Sequence, residues 1–205
     1  MTATVLVDRT RRSGAAIWVV MLLSSIVSLV ASFVLAVEAI TLAENPSAEL
    51  GCDINAVLSC GTVASSWQAS VFGFPNAFLG LIAEPVVITI AVAALSGVRF
   101  KRWFMLAAQL FYTLGLALAY WLFYQAMFNI GALCPWCLLI TVATTLVFFE
   151  MTRVNIRDNN LYLPPRIQQT LSSAVQWNLD VMVVIAWLLA LVLLIVVKYG
   201  NALFS

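Results

Sequence analysis

Histidine is absent from this sequence, and charged residues are scarce. Without histidine, the chain cannot form His-ligated haem, a Cys2His2 zinc site or a Ser-His-Asp triad. Charged residues make up 9% of the 205 residues, whereas soluble domains carry roughly a quarter. Hydrophobic residues make up 63%, and a soluble fold could not bury that much apolar surface. The composition therefore predicts an integral membrane protein.

Five apolar segments each approach the roughly 20 residues that a helix needs to cross a bilayer. They run from about Ala15 to Ala43, Pro75 to Ser96, Trp103 to Phe128, the CPWC motif to Met151, and Leu179 to Val197. Between the last two, Arg166 to Trp177 is interpreted as a short amphipathic helix on the membrane surface. The sequence contains no internal repeat and predicts an all-α membrane protein.

The distribution of positive charge predicts the orientation of these helices. With a cytoplasmic N-terminus, nine cationic residues lie on the cytoplasmic side and only Lys198 lies outside. The nine are Arg9, Arg11, Arg12, Arg99, Lys101, Arg102, Arg153, Arg157 and Arg166. Because cytoplasmic loops are enriched in Lys and Arg, this topology is favoured over its inverse. It puts all four cysteines on the outer side, where disulfides persist.

Several helical residues invite a functional or a packing interpretation. One face of the first helix carries small residues at every fourth position, which suits close helix packing. These residues are Ser24, Ser28, Ser32 and Ala36. Glu84 falls inside the second helix, where an acid is a functional candidate, although a partner in the bundle or a headgroup could equally satisfy it. Glu38, near the end of the first helix, is interpreted as a solvated helix-end charge.

The motif Cys134-Pro135-Trp136-Cys137 lies where a polar turn becomes an apolar helix. Its two cysteines fall on one helical turn, close enough to form a disulfide. Pro135 suits the first helical position, and the free N–H groups of a helix N-terminus favour a thiolate. The pattern is typical of a redox dithiol, but packed core cysteines or half of a metal site would give the same spacing.

The second cysteine pair, Cys52 and Cys60, lies in the longest polar interval of the first half of the chain. We expect it to bond across a short segment and to exchange with the helix-borne pair in a two-stage relay. A soluble thiol donor would reach the loop pair first. The acceptor beside the helix pair should be lipid-soluble and take two electrons, which describes a quinone. The sequence has no nucleotide-binding loop that would seat a flavin.

At this point the sequence resembles bacterial homologues of vitamin K epoxide reductase. The resemblance consists of an ordered set of motifs, and the helix plan extends it over roughly Ile17 to Glu150. The motifs are Cys52-(seven residues)-Cys60, Ser65-Ser66-Trp67, Phe72-Gly73-Phe74-Pro75-Asn76 and Cys134-Pro135-Trp136-Cys137. The resemblance implies a four-helix bundle around a quinone, capped by the outer loop. It also implies oxidation of partner dithiols and reduction of the quinone.

The resemblance also implies a role for each cysteine. Cys137 matches the cysteine that reacts with the quinone, and Cys134 matches its resolving partner. Cys60 matches the loop cysteine that exchanges with Cys134. Cys52 matches the cysteine that meets the external thiol protein. The four form the implied catalytic set.

Two further positions match the quinone site of the family. Asn76 matches an asparagine that hydrogen-bonds a quinone carbonyl, although Asn is also a favoured helix cap. Ser66 matches a serine near the active disulfide, and it could equally cap a short loop helix. Where vertebrate enzymes carry a tyrosine four residues after the second cysteine of the motif, this chain has Thr141. Cys137, Asn76 and Ser66 are thus the implied contacts of menaquinone or ubiquinone.

The implied organisation has four parts. Residues 1–14 form a cytoplasmic tail, and residues 15–152 form the four-helix catalytic domain, with its outer cysteine loop at 44–73. Residues 153–178 form a cytoplasmic connection, and residues 179–205 form the fifth transmembrane helix with a short outer tail. Because many bacterial members continue into a thioredoxin-like domain and this chain stops at Ser205, we expect a separate thioredoxin-fold thiol oxidase as partner.

The expected location is the bacterial inner membrane, with the active site facing the periplasm or cell exterior. The expected function is disulfide formation in exported proteins, with lipid and quinone as partners and no metal or nucleic acid. Two alternatives remain from the residues alone. Four cysteines could hold zinc, although outer thiols tend to oxidise. A transporter or assembly protein could use the same cysteines as structural disulfides.

Overall fold

The structure, a computed structural model, describes the backbone of residues 2–203 and the side chains of residues 14–200. Met1, Phe204 and Ser205, the ends of the two predicted tails, lie outside the described residues, and the side chains of Arg9, Arg11 and Arg12 are not described. The regular secondary structure of the described region is helical, with seven α-helices. They are α1 (Thr2–Glu44), α2 (Cys60–Ala64), α3 (Ala77–Leu95), α4 (Arg102–Gln125), α5 (Pro135–Arg157), α6 (Pro165–Gln176) and α7 (Leu179–Leu203).

Five helices are long and apolar enough to cross a membrane. The candidate spans are Gly14–Glu44, Ala77–Leu95, Arg102–Ile130, Pro135–Arg157 and Leu179–Gly200. The predicted all-α membrane protein with five spanning helices is thus confirmed. The chain is a multi-pass membrane protein, because no soluble fold would leave these faces exposed.

Helix α1 packs against α3 and α5, and α4 packs against α5. Close approach depends on the predicted small-residue face, which is buried along its whole length. Where α1 meets α3, a Cβ atom added to Gly80 would collide with the side chain of Ser32. The Ser32 side chain therefore packs directly against the backbone of α3 at Gly80, a close approach that small residues permit in membranes.

The intramembrane acid Glu84 is buried in this bundle. Its Oε1 accepts hydrogen bonds from Ser28 Oγ at 2.8 Å and Tyr112 OH at 3.1 Å. Of the two sequence interpretations, the partner inside the bundle is therefore the one that the structure shows. The buried carboxyl and its two donors link α1, α3 and α4 at one point. These hydrogen bonds offset the free-energy cost of holding a polar group in an apolar medium.

Helix α5 runs six residues beyond the predicted end at Met151. The polar residues that predicted a loop there have partners inside the protein. Asn155 is fully buried, and its Nδ2 donates to Gln109 Oε1 at 3.0 Å. Arg153 lies 2.8 Å from Asp180 on α7. Their polarity reflects pairing between helices, which hydropathy alone does not distinguish from solvation.

Helix α1 also begins earlier than predicted, at Thr2 rather than Ala15. The preceding residues contain neither proline nor glycine before Gly14, so nothing local interrupts the helix. The amphipathic segment forms α6 within one residue of its predicted bounds.

Helix α7 lies on the outside of the bundle, and none of its spanning residues is buried. Its last turns reach the end of α4, where Ala126–Ile130 forms a π-helical turn. Because Gly131 N donates to Ala126 O rather than to Met127 O, the Met127 carbonyl remains open. Tyr199 OH donates to it at 2.8 Å, and Lys198 Nζ also donates to it. α7 thereby supplies hydrogen-bond donors to the carbonyl that the π turn leaves unpaired.

Candidate active site

The end of the bundle that holds the four cysteines, called here the cysteine end, is built where the loop after α1 meets the turn before α5. Two backbone hydrogen bonds join them: Ser59 N to Leu133 O at 3.0 Å and Leu133 N to Val57 O at 2.7 Å. The resulting parallel bridge pairs Leu58 with Leu133. Cys60 lies two residues after Leu58 and Cys134 one residue after Leu133, so the bridge sets the separation of these two cysteines.

The loop is ordered by two acceptor side chains. Asp53 accepts from Gly61 N at 2.9 Å, Ser59 Oγ at 2.8 Å and Leu50 N at 3.0 Å. These hydrogen bonds, that from the Gly61 backbone above all, hold the pKa of Asp53 below its usual value. Asn55 Oδ1 accepts from two further backbone N–H groups. A loop without regular strands thus satisfies its own polar groups.

Cys52 and Cys60 are joined in a disulfide within this loop. Cys60 opens the short helix α2, where Ser59 Oγ accepts from Thr62 N as a helix cap. Both cysteines are buried, packed with Leu50 against the end of α1. The expected loop disulfide is therefore present.

The second pair, Cys134 and Cys137, is in the free thiol form. Gly131 reverses the chain with a φ of 78°, which glycine adopts without steric cost. Cys134 then caps α5, its Sγ accepting from Cys137 N at 3.3 Å, and Pro135 takes the first helical position. This is the arrangement that the sequence predicts for a thiolate at a helix N-terminus.

The two pairs meet through Cys60 and Cys134, whose sulfur atoms lie 3.2 Å apart. Both residues are buried. A hydrogen bond from the Cys137 thiol lowers the pKa of Cys134, and the backbone N–H groups of Cys137 and Trp136 lower it further. A stabilised thiolate in contact with a disulfide sulfur is the geometry of thiol–disulfide exchange. The arrangement can therefore pass electrons between the loop and the helix.

Glu38 is not a solvated helix-end charge, as its position in the sequence suggests. It is half-buried, and its Oε1 and Oε2 lie 3.2 Å and 3.5 Å from Cys52 Sγ. The loop folds back over the end of α1 and encloses the carboxyl. The sequence offers one signal, an acid near the end of a spanning helix that leads directly into a cysteine loop.

Asn76 and Ser66 occupy capping positions but do not cap with their side chains. Ser66 Oγ donates to Val63 O at 2.6 Å. Asn76 Nδ2 donates to Gln68 O at 2.7 Å, which leaves its second N–H free for another acceptor. Its Oδ1 is buried and has no hydrogen-bond partner among the described residues. This buried amide edge suits the carbonyl or hydroxyl oxygen of a quinone and its reduced form.

Thr141 faces its own helix. Its Oγ1 donates to Cys137 O at 2.9 Å, one turn back along α5. One turn further along α5, Thr145 Oγ1 lies 2.8 Å from the hydroxyl of Tyr120 on α4, which accepts from Trp187 Nε1 at 2.7 Å. No pattern in the sequence indicates this link between α4, α5 and α7.

A spanning bundle whose buried end holds a disulfide against a reduced pair defines a membrane thiol oxidoreductase. Comparison with known families agrees with this class: the sequence model of the vitamin K epoxide reductase family matches residues 19–152. The chain belongs to the vitamin K epoxide reductase family, as the resemblance of its motifs implies. It is an oxidoreductase of the vitamin K epoxide reductase kind. A comparison with curated proteins gives no match.

Proposed function

We propose that this protein oxidises a secreted thioredoxin-fold dithiol and reduces a membrane quinone, and so drives disulfide formation in exported proteins. The observation that carries the proposal is the 3.2 Å contact between Cys60 and Cys134, which joins the two pairs into one electron path. The cysteine end then faces the periplasm or cell exterior of a bacterial inner membrane. The prevalence of basic residues at the opposite end supports this orientation.

The first half of the cycle takes place in the loop. The thiolate of the partner protein attacks Cys52 and forms a mixed disulfide, and Cys60 is released as a thiolate. Cys60 then attacks Cys134 in the oxidised helix pair, and Cys137 leaves as a thiolate. Transfer needs little movement, because Cys60 and Cys134 are already in contact. The second thiol of the partner then attacks its own disulfide with Cys52 and releases Cys52. Cys52 attacks Cys60, which re-forms the loop disulfide and frees Cys134. Each step is an exchange in which one S–S bond forms as another breaks.

The second half of the cycle takes place at α5. The quinone supplies a lipid-soluble acceptor for two electrons and two protons. Cys137 is half-buried at the start of α5 and gives up its electrons there, while Cys134 closes the disulfide behind it. Asn76 orients the acceptor with its free N–H, and Ser66 belongs to the wall of the same end of the bundle. The structure, with a closed loop pair and an open helix pair, corresponds to the stage before this step.

A purified-protein assay tests the proposal. The protein is mixed with a thioredoxin-fold dithiol protein and menaquinone or ubiquinone, and quinone absorbance is followed. We expect catalytic loss of the quinone with the wild type and only the background rate with Cys137→Ala. Ser173→Ala, an exposed hydroxyl on α6, is the control and should match the wild type. A Cys137→Ala protein that reduces quinone at the wild-type rate would exclude the proposal.

The alternatives predict different outcomes. A non-catalytic protein with structural disulfides would lose stability on Cys→Ser substitution but show no dithiol-dependent quinone loss in any form. Orientation is tested separately in intact cells, with a membrane-impermeant thiol reagent applied after reduction. Labelling of Cys137 from outside is expected, and labelling only from the cytoplasmic side would contradict the path.

A further inference from the structure

Glu38 is the one carboxyl whose oxygens touch a sulfur of the loop pair in the described residues. One oxygen lies 3.2 Å from Cys52 Sγ, and the carboxyl, Cys52 and Cys60 together lie within 4.8 Å of one another. A disulfide sulfur carries no proton, so this contact is not a hydrogen bond in the oxidised loop. It becomes one as soon as Cys52 is a thiol, because the S–H can then donate to the carboxylate.

The charges around Glu38 favour proton transfer over a static ion pair. The titratable groups that face it are Cys52 and Cys60, Asp53 from the loop, and Cys134 and Cys137 from α5. None of these is a cation. A carboxylate and a Cys52 thiolate side by side would repel each other. Moving the Cys52 proton onto Glu38 keeps a single negative charge in the pair, so the thiolate forms without that repulsion.

We propose that Glu38 is the general base that activates Cys52 when the loop disulfide closes. The proposal deepens the proposed function and rests on it. Once the partner has left, Cys52 is a thiol beside a Cys60–Cys134 mixed disulfide. Glu38 takes the proton from Cys52, and the Cys52 sulfur attacks Cys60.

The step balances within the chain. The Cys52–Cys60 bond forms, the Cys60–Cys134 bond breaks, and the electron pair leaves on the Cys134 sulfur. Cys52 is thereby oxidised and Cys134 reduced, and the proton stays on Glu38 until water at the half-exposed carboxyl removes it. The structure has the arrangement of the products: a closed loop pair, Cys134 still 3.2 Å from Cys60, and Glu38 in contact with Cys52.

A single-turnover experiment without quinone tests this role. Protein oxidised at both pairs is mixed with a thioredoxin-fold dithiol, quenched with acid at intervals, alkylated, and analysed by mass spectrometry for Cys60–Cys134 and Cys52–Cys60 linkages. The variants are Glu38→Gln, which keeps the shape but cannot take the proton, and Glu38→Asp, which can. Glu44→Gln, an exposed acid at the end of the same helix, is the matched control.

We expect Glu38→Gln to accumulate the Cys60–Cys134 linkage and to close the loop roughly 10- to 100-fold more slowly at pH 7. The deficit should shrink at pH 9, where more of the Cys52 thiol ionises unaided, and Glu38→Asp should recover part of the rate. A wild-type closing rate in Glu38→Gln would overturn the proposal. So would an equal loss at every pH without accumulation, since that indicates a structural role. A wild type in which no Cys60–Cys134 linkage appears and the Cys134–Cys137 disulfide stays closed would refute the electron path itself, and this step with it.

Discussion

The two cysteine pairs lie side by side, yet the chain stabilises them by opposite means. The loop pair is closed, and carboxylates surround it: Asp53 ties the loop together and Glu38 touches Cys52. The helix pair is open, and N–H groups surround it at the start of α5. In the proposed function the loop pair reacts with thiols, and a neighbouring carboxylate can accept the protons that these thiols release. A helix N-terminus suits the pair that must hold a thiolate.

The largest expected effect comes from removing one sulfur of the loop pair, which should stop electron transfer from the loop pair to the helix pair. In Cys60→Ser, Cys52 loses its disulfide partner, so the partner protein finds no loop disulfide to attack and no sulfur remains to pass electrons to Cys134. We expect quinone reduction driven by a thioredoxin-fold dithiol to fall at least about 100-fold. Reduction driven by dithiothreitol should fall far less, because a small dithiol reaches the half-buried Cys137 directly.

The matched control for this comparison is Ser65→Ala, a small change at an exposed position in the same loop. Both donors should drive it at the wild-type rate. If Cys60→Ser lost the two activities to the same extent, Cys60 would be supporting the helix pair rather than delivering electrons to it.

Replacing Asp53 should weaken the loop pair and leave the helix pair intact. Asp53→Asn places an amide N–H against the backbone N–H of either Leu50 or Gly61. Because the site is exposed, we expect a modest loss, about 1 kcal/mol of loop stability, and a roughly three- to tenfold slower rate with the protein donor. The rate with dithiothreitol is the comparison, and Asp158→Asn at the opposite end is the control.

The same residue predicts a dependence on pH. Hydrogen bonds lower the pKa of Asp53, that from the Gly61 N–H most of all. Its contribution to stability is therefore complete above the ordinary carboxyl pKa of about 4, and it is lost as the pH falls through the lowered value. The wild-type loop should loosen on acidification below about pH 4, measured by alkylation of Cys52 and Cys60 after mild reduction. Asp53→Asn should show no such step, and an identical acid transition in both proteins would contradict this assignment.

The sequence predicts the helix pair better than the loop pair, for a physical reason. The motif Cys134-Pro135-Trp136-Cys137 carries its own local structure, because proline and the cap act within one turn. The five spans follow from hydropathy in the same local way. The surroundings of the loop pair depend instead on the bridge between Leu58 and Leu133, 75 residues apart in the numbering. No local pattern encodes that register, so the burial of Glu38 beside Cys52 was missed.

The other differences between the sequence prediction and the structure concern polar residues inside helices. Asn155 and Arg153 suggested the end of a helix, yet both find partners on other helices. Glu84 could be predicted as an intramembrane acid, but its donors, Ser28 and Tyr112, come from two different helices and could not. The roles of Asn76 and Ser66 remain predictions, supported for Asn76 by the unpartnered Oδ1 and for Ser66 by its place in the loop.

The smallest expected effect comes from the fifth helix, which contacts the turn before the helix pair. Lys198 and Tyr199 donate to the Met127 carbonyl, which the π turn leaves open, and Lys198 lies 4.1 Å from the Phe128 ring centre. In Lys198→Met combined with Tyr199→Phe, both donors are lost and a buried acceptor is left unpaired. We expect a cost of about 1–2 kcal/mol and a melting temperature lower by roughly 2–6 °C in detergent.

This double variant should change the helix pair and not the loop pair. The rate with dithiothreitol should fall by up to about threefold, since Met127 lies only seven residues before Cys134. The rate of Cys52–Cys60 reduction by the partner should stay at the wild-type value. Val197→Ala, an exposed neighbour on α7, is the control. A slower loop step, or an unchanged melting temperature, would show that α7 does not act through the π turn, and its contact with Met127 would then be incidental to the site.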